Sequence, residues 1–342
     1  MRLGAVAQTE RAPHEAVAPR ATGPHRAVMI AVMTASPADP RRVPPVLDNT
    51  VGLWTGTLDA LDARAAQEAV AELDELGYPA IWFGEAYGRE AFTAAALLLA
   101  ACPRMGVATG IANIYARDPV SANAAGRALH DAYRDRFVLG LGVSHRPLVE
   151  RLRGHEYLSP LETMTSYLAA MDSARFMAAG PPDAPARVIA ALGPKMLDVA
   201  RDHCDGAHPY LVTPAHTAEA RARLGDTPIL AVEQAVVLTS DEATFRSRAH
   251  AHLEIYTGLP NYRNSWRRQG YGDEDFVRGR SERLADALVV WGDEARICAR
   301  IQEHLDAGAD HVCVQVLGTD PFTPPFEDWR TLAPSLTPLR HP

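Results

Sequence analysis

Leu73-Asp-Glu-Leu-Gly-Tyr-Pro-Ala-Ile-Trp-Phe-Gly84 closes one structural element and contains the next. Upstream of it, Leu61, Ala65, Ala69, Leu73 and Leu76 recur at helical spacing, and Asp59 stands where a side chain can cap the helix start. Gly77 ends that helix, and the apolar run from Pro79 to Gly84 has the length and residue types of a buried strand. The same junction recurs in style at Leu305-Asp-Ala-Gly-Ala, which leads into Val312-Cys-Val-Gln-Val316. Between these two copies the chain keeps alternating. Strands are predicted at 51–54, 79–84, 105–111, 137–143, 188–192, 206–211, 229–238 and 312–316. Helices are predicted at 91–101, 119–134, 159–178, 194–203, 214–225, 241–257 and 293–307. Eight apolar strands separated by helices imply a parallel sheet covered by helices. Eight such units over this length favour a closed (β/α)8 TIM barrel with an insertion before the last strand. An open dinucleotide-binding sheet is the alternative. Its glycine fingerprint is missing after the first strand, where the chain reads Val51-Gly-Leu-Trp-Thr-Gly-Thr.

Composition narrows the function. The chain has 342 residues, 47% hydrophobic residues and a net charge of −8, so neither nucleic acid nor an anionic membrane surface is an expected partner. Four cysteines without CxxC spacing, lying in apolar patterns, point to reduced thiols in a cytoplasmic protein. No apolar stretch approaches the ~20 residues that span a bilayer. Residues 1–48 are rich in Ala, Pro and Arg and lack a sustained period. They are expected to be a disordered extension, or an over-long start preceding Met29 or Met33, with the barrel domain at 49–338.

In a barrel the chemistry belongs at the C-terminal ends of the strands. The chain has a single lysine, Lys195, against thirty-three arginines, and it lies in Ala190-Ala-Leu-Gly-Pro-Lys195 at a strand-to-helix turn. The first N–H groups of a helix lack intrahelical partners, the helix dipole adds positive potential, and glycine admits a close anion, so this turn is suited to a phosphate. Trp54 ends the first strand, as pocket floor or barrel plug. Glu85 and Tyr87 follow the second, where Glu85 either does proton work or caps the next helix. Asn113 and Tyr115 follow the third and can face a ligand. His145 follows the fourth and can exchange protons near neutral pH, or is a loop histidine. No metal site is expected: His203, Cys204, Asp205 and His208 straddle a helix end and a strand start and would point in different directions.

The order of elements, with Gly84-Glu-Ala-Tyr87, Ala108-Thr-Gly-Ile111, Phe137-Val-Leu-Gly-Leu-Gly-Val143 and Ala191-Leu-Gly-Pro-Lys195 onward, resembles the bacterial luciferase-like monooxygenase superfamily. The stretch Leu284-Ala-Asp-Ala-Leu-Val-Val-Trp-Gly-Asp293 is similar to its branch that uses the deazaflavin coenzyme F420. The resemblance covers about residues 50–335. It implies a non-prolyl cis peptide at Gly110–Ile111 against which the cofactor ring packs, and ring space left by Gly140 and Gly142. It also implies a cofactor phosphate on the backbone at Leu192 and Gly193, near Lys195. Sugar-phosphate dehydrogenases of that branch carry Asp-His after the second strand and Glu after the fourth. Here Glu85-Ala86 and His145 stand there, so glucose 6-phosphate is not the expected substrate.

The implied activity is hydride transfer between F420 and a small organic substrate with a C=C, C=O or C=N group. His145 is the leading acid/base candidate, with Glu85 and Tyr87 behind it, and the implied assembly is a homodimer. The alternatives are an FMN-dependent two-component monooxygenase of the same fold, a non-catalytic barrel that holds a flavin-like molecule, and a phosphosugar isomerase barrel. The polar, aromatic segment from Gly258 to Arg283 is expected to be a lid over the substrate or a dimer-contact arm.

Overall fold

The computed structural model describes residues 43–320 and 322–340. Most of the expected extension, residues 1–42, lies outside the described residues. Residues 43–48 form a turn that buries Leu47 completely.

β1 (Thr50–Trp54), β2 (Ala80–Phe83), β3 (Gly106–Thr109) and β5 (Phe137–Gly142) lie side by side, and β4 (Ala112–Asn113) carries the third strand onward along β5. They are followed by β6 (Ala186–Ile189), β7 (Gly206–Ala207) and β8 (Ile229–Leu238). β10 (His311–Val316) pairs with β8 on one side and β1 on the other, and every pairing is parallel. The sheet therefore closes into an eight-stranded barrel, as the alternation in the sequence predicts. β9 (Val289–Gly292) was not among the predicted strands. It pairs with the upper half of β8, from Ala235 to Leu238, outside the closed ring.

Each strand has two apolar faces because both are covered. Val51, Leu53, Ile81, Phe83, Val107, Leu139 and Ile189 turn outward onto the helices. Trp54, Trp82, Ala108, Val138, Val188, Ala231 and Cys313 belong to a second cluster inside the barrel. The first four helices are α1 (Ala63–Glu75), α2 (Ala91–Leu99), α3 (Pro119–Ala132) and α4 (Pro160–Ser173). After them come α5 (Pro194–His203), α6 (Pro214–Leu224), α7 (Glu242–Tyr256), α8 (Pro260–Arg268), α9 (Glu282–Leu288), α10 (Glu294–Asp306) and α11 (Phe326–Leu336). α1 is capped by Asp62, whose carboxylate accepts from the Ala65 N–H at 2.8 Å, and not by Asp59. A 3-10 turn, Thr57–Ala60, delays the helix by one turn, and Asp59 instead pairs with Arg89 at 3.2 Å. The face that α1 buries is Ala66, Ala69, Val70 and Leu73. Leu73 alone, removed from water, contributes about 2 kcal/mol. No described helix is long and apolar enough to cross a membrane.

Candidate active site

The third strand breaks at Gly110–Ile111, a non-prolyl cis peptide, and resumes as β4. The bulge is tied on both sides. The Gly110 N–H donates to the Phe83 carbonyl at 2.6 Å, and the Gly110 carbonyl accepts from Trp54 Nε1 at 3.2 Å. Thr109 Oγ1 donates to the Gly140 carbonyl (2.7 Å) and accepts from the Gly140 N–H (2.9 Å). The β5 glycines answer to this bulge directly. A Cβ on Gly140 would lie 1.9 Å from the Thr109 carbonyl oxygen, and one on Gly142 would lie 2.5 Å from the Ile111 side chain. The space they leave is filled by the neighbouring strand, so any room for a ring lies beyond Ile111.

Aromatic side chains gather at the barrel mouth. Trp54, 9% exposed, meets Tyr210 with ring centroids 5.1 Å apart. The Tyr256 hydroxyl donates to Tyr210 Oη at 3.0 Å, and Tyr210 donates to Gln315 Oε1 at 2.6 Å. Tyr262 meets Tyr256 edge-on at 4.9 Å, and His145 lies 5.9 Å from Tyr262. Tyr262 belongs to α8, in the segment expected to be a lid or an arm. That helix is anchored by Trp266, which is fully buried and donates Nε1–H to the Leu211 carbonyl at 3.2 Å. Thr213 Oγ1 donates to Gln269 Oε1 at 2.7 Å and fixes the next turn. In this conformation α8 is a wall of the mouth.

The proposed proton-handling residues separate into different environments. His145 follows Ser144, whose φ of 56° turns the chain sharply after β5. Neither His145 ring nitrogen has a hydrogen bond among the described residues, and burial pushes its imidazole below the usual pKa, so the ring is neutral at pH 7. Both carboxylate oxygens of Glu85 are engaged. Its carboxylate accepts from the N–H groups of Asn113 (2.8 Å) and Ala91 (3.3 Å) and pairs with Arg117, which also meets Glu90 at 2.8 Å. That arrangement ties the end of β2 to the start of α2 and to β4. Tyr87 is 78% exposed. Asn113 is buried, its side chain accepting from the Tyr115 N–H at 2.9 Å. Tyr115 accepts from the Leu158 N–H at 3.2 Å and stacks on Tyr157. With Tyr87, Leu152, Arg153 and His155 it lines an open cleft of about 390 Å³.

The anion end is built at α5. Gly193 caps the helix without a side-chain hydrogen bond, Pro194 takes the first helical position, and Lys195 is exposed. The sequence alone did not pick out Arg268, the last residue of α8. It donates to the Leu192 carbonyl at 2.8 Å, and its guanidinium is the nearest group, at 3.8 Å, to a Cβ placed on Gly193. His216 Nε2 meets the same carbonyl at 3.0 Å. The turn is thus open, basic and fixed by two elements, which suits a phosphate.

A second unanticipated residue is Glu233 on β8, wholly buried. Its Oε2 accepts from the Leu211 N–H at 2.8 Å, and among the described residues Oε1 has no partner. Burial pushes its carboxyl up to about 8. A lone acid in the apolar run Ile229-Leu-Ala-Val-Glu-Gln-Ala-Val-Val-Leu238 was the available signal. His203 is exposed while His208 points into the barrel, stacked on Trp82 at 4.4 Å, so these two do not converge. No group of three or more metal-ligating side chains occurs among the described residues.

Known proteins share this architecture. A Mycobacterium tuberculosis protein, provisionally described as a coenzyme F420-dependent oxidoreductase, is 26% identical over 71% of this chain and 85% of its own length. An F420-dependent secondary alcohol dehydrogenase, solved with an F420–acetone adduct, superposes with a TM-score of 0.66 at 13% identity, over 85% of this chain and 99% of that one. The oxygenating constituent of 3,6-diketocamphane monooxygenase from Pseudomonas putida, solved with FMN, gives a TM-score of 0.60 at 14% identity, over 86% and 98% of the two chains. At those identities the two structures speak to the fold. The family described as luciferase-like monooxygenase matches residues 46–311, and the chain is an enzyme that belongs to this family.

Proposed function

We propose that this enzyme transfers a hydride between coenzyme F420 and a small organic substrate carrying a C=C, C=O or C=N group. The observation that carries the reading is a pair of features at the same end of the barrel. One is the bulge between β3 and β4 at Gly110, under Trp54. The other is the open α5 start with Gly193, Lys195 and Arg268. A planar ring bearing a phosphorylated chain has a surface for each part. The M. tuberculosis relative supports the deazaflavin in particular.

When bound, a reduced deazaflavin supplies a hydride from carbon. The chain's own residues bind, orient and accept a proton. Gly193, Lys195 and Arg268 hold the phosphate, through backbone N–H and two cationic side chains. Trp54, Tyr210, Tyr256 and Tyr262 line the mouth with apolar faces that exclude water from the reacting atoms. His145, neutral at pH 7, stands at the mouth as a proton acceptor.

A second reading, an FMN-dependent monooxygenase that uses oxygen, is favoured by the FMN-bound structural relative. Fluorescence titration of the purified protein with F420 and with FMN at matched concentrations separates the two. Preference for F420 is expected. Preference for FMN moves the assignment to oxygenation, and binding of neither refutes both. In the Arg268→Ala protein the dissociation constant of the preferred cofactor should rise roughly tenfold, the worth of one charge-assisted hydrogen bond.

A further inference from the structure

We propose that Glu233 is the buried acid of this site, holding a proton on Oε1 and exchanging it with the barrel mouth. The proposal rests on the oxidoreductase reading above and adds a residue to it.

Glu233 is 0% exposed, yet among the described residues only one of its two oxygens has a partner. Oε2 accepts from the Leu211 N–H, at a residue whose φ is 53°. A neutral amide would do that as well, at a smaller desolvation cost. A carboxyl retained here with Oε1 unpartnered is a group waiting for a ligand or a water molecule.

Its height in the barrel is set by strand register. Glu233 stands opposite Cys313 on β10, and Cys313 stands opposite Gly52 on β1. The next inward layer up contains Trp54 and Gln315, with Tyr210 bonded to Gln315. Glu233 is therefore one residue layer below the mouth. Its reach to the Leu211 N–H, on the loop after β7, carries the side chain upward.

The titratable groups that face it come from every element packed against it. They are Cys313 from β10, Tyr210 from the β7–α6 loop, Tyr256 from α7 and Tyr262 from α8. Burial pushes all four upward, Tyr256 to about 12, so all are neutral at pH 7. None can supply the positive charge that would keep Glu233 ionised. The Tyr256 and Tyr210 hydroxyl protons are committed to Tyr210 Oη and Gln315 Oε1, and Trp54 Nε1 to the Gly110 carbonyl. Among the described residues no hydrogen bond commits the proton on Glu233 Oε1. His145 and Glu233 thus have environments that displace their acidities in opposite directions, the arrangement that divides base from acid. With the cofactor bound, a reduced deazaflavin would supply a hydride to one atom of the C=C, C=O or C=N group, while the Glu233 Oε1–H bond breaks and its proton goes to the other atom. The carboxylate left behind is reprotonated from solvent, into which the oxidised cofactor would release its own proton.

Infrared spectroscopy of the protein alone tests this. Subtracting the spectrum of E233Q, which keeps an acceptor for the Leu211 N–H, isolates the Glu233 carboxyl band. The protonated band should be present at pH 6, vanish with a midpoint near 8, and shift within mixing time on transfer to D2O. A carboxylate already present at pH 6, or a protonated band unshifted in D2O for hours, would overturn the proposal. If E233Q fails to fold, E233D makes the same assignment by displacing the band. Titration of the same samples with F420 and FMN reports separately on the cofactor reading. If neither binds, that reading fails, and the infrared result still decides whether Glu233 holds an exchangeable proton.

Discussion

Acidification from pH 7 to pH 5 should weaken the folded state by about 5 kcal/mol, and the balance of buried groups gives the reason. Burial holds four imidazoles down, His208 and His252 to about 4 and His304 and His311 to about 3. In the unfolded chain each titrates near 6.5. A depressed histidine pKa means that the unfolded state binds more protons in this window. Its stability contribution is therefore complete above 6.5 and lost as pH falls toward 3–4. At pH 5 each ring costs about 2 kcal/mol, or about 8 kcal/mol together. Glu233 acts in the opposite sense. Held up at about 8 against an ordinary 4.5, it destabilises the fold as pH rises, so acidification from 7 to 5 returns about 3 kcal/mol. The net loss of about 5 kcal/mol corresponds to roughly 10 °C in Tm for a chain of this size. Thermal unfolding followed by circular dichroism at the two pH values measures it. E233Q removes the returning term, so its Tm should fall roughly half as far again. A wild-type Tm unchanged within 2 °C would refute the claim that these rings are buried neutral.

Three substitutions probe the site's supports. Gly140→Ala sets a methyl group 1.9 Å from the Thr109 carbonyl oxygen, between two backbones that cannot part, and should cost about 3 kcal/mol in urea unfolding. Trp266→Ala empties the buried slot that fixes α8 and removes a hydrogen bond to Leu211. A loss of about 3–5 kcal/mol is expected, with increased proteolysis within 258–283, and unaltered cleavage there would count against α8 as a fixed wall. Glu85→Gln weakens the Arg117 pair and should lower stability by about 2 kcal/mol while leaving the pH profile of activity unmoved. A displaced profile would restore Glu85 to proton transfer.

How much of this was legible in the sequence depends on the range of the interaction. The eight barrel strands could be read because a parallel strand covered on both faces is continuously apolar, as at Ile229–Leu238. β9 escaped because Val289–Gly292 follows α9 with no turn residue between them. The α1 start was misplaced because Asp59 and Asp62 both suit a cap, and only the Arg89 contact, thirty residues away in sequence, decides between them. The cis bond at Gly110–Ile111 was implied by resemblance and is present. Arg268 could not be inferred, since its approach to Gly193 is a tertiary event across seventy-five residues. The ties that occupy Glu85 were hidden for the same reason: Arg117 and the Asn113 N–H come from another strand end.

A chain with one ε-ammonium, exposed at the first turn of α5, has a practical consequence for anyone handling it. Amine-directed dyes, biotin esters and surface-coupling resins will find one side chain, Lys195, besides the chain's own amino terminus. Among side chains they will therefore attach beside the anion turn and not at random over the surface. Covalent immobilisation through Lys195 should block the mouth, whereas a reporter placed there would sense each ligand that enters. A lysine-specific endoprotease can cut only after Lys195, so the appearance of two fragments marks the moment when that helix start comes loose.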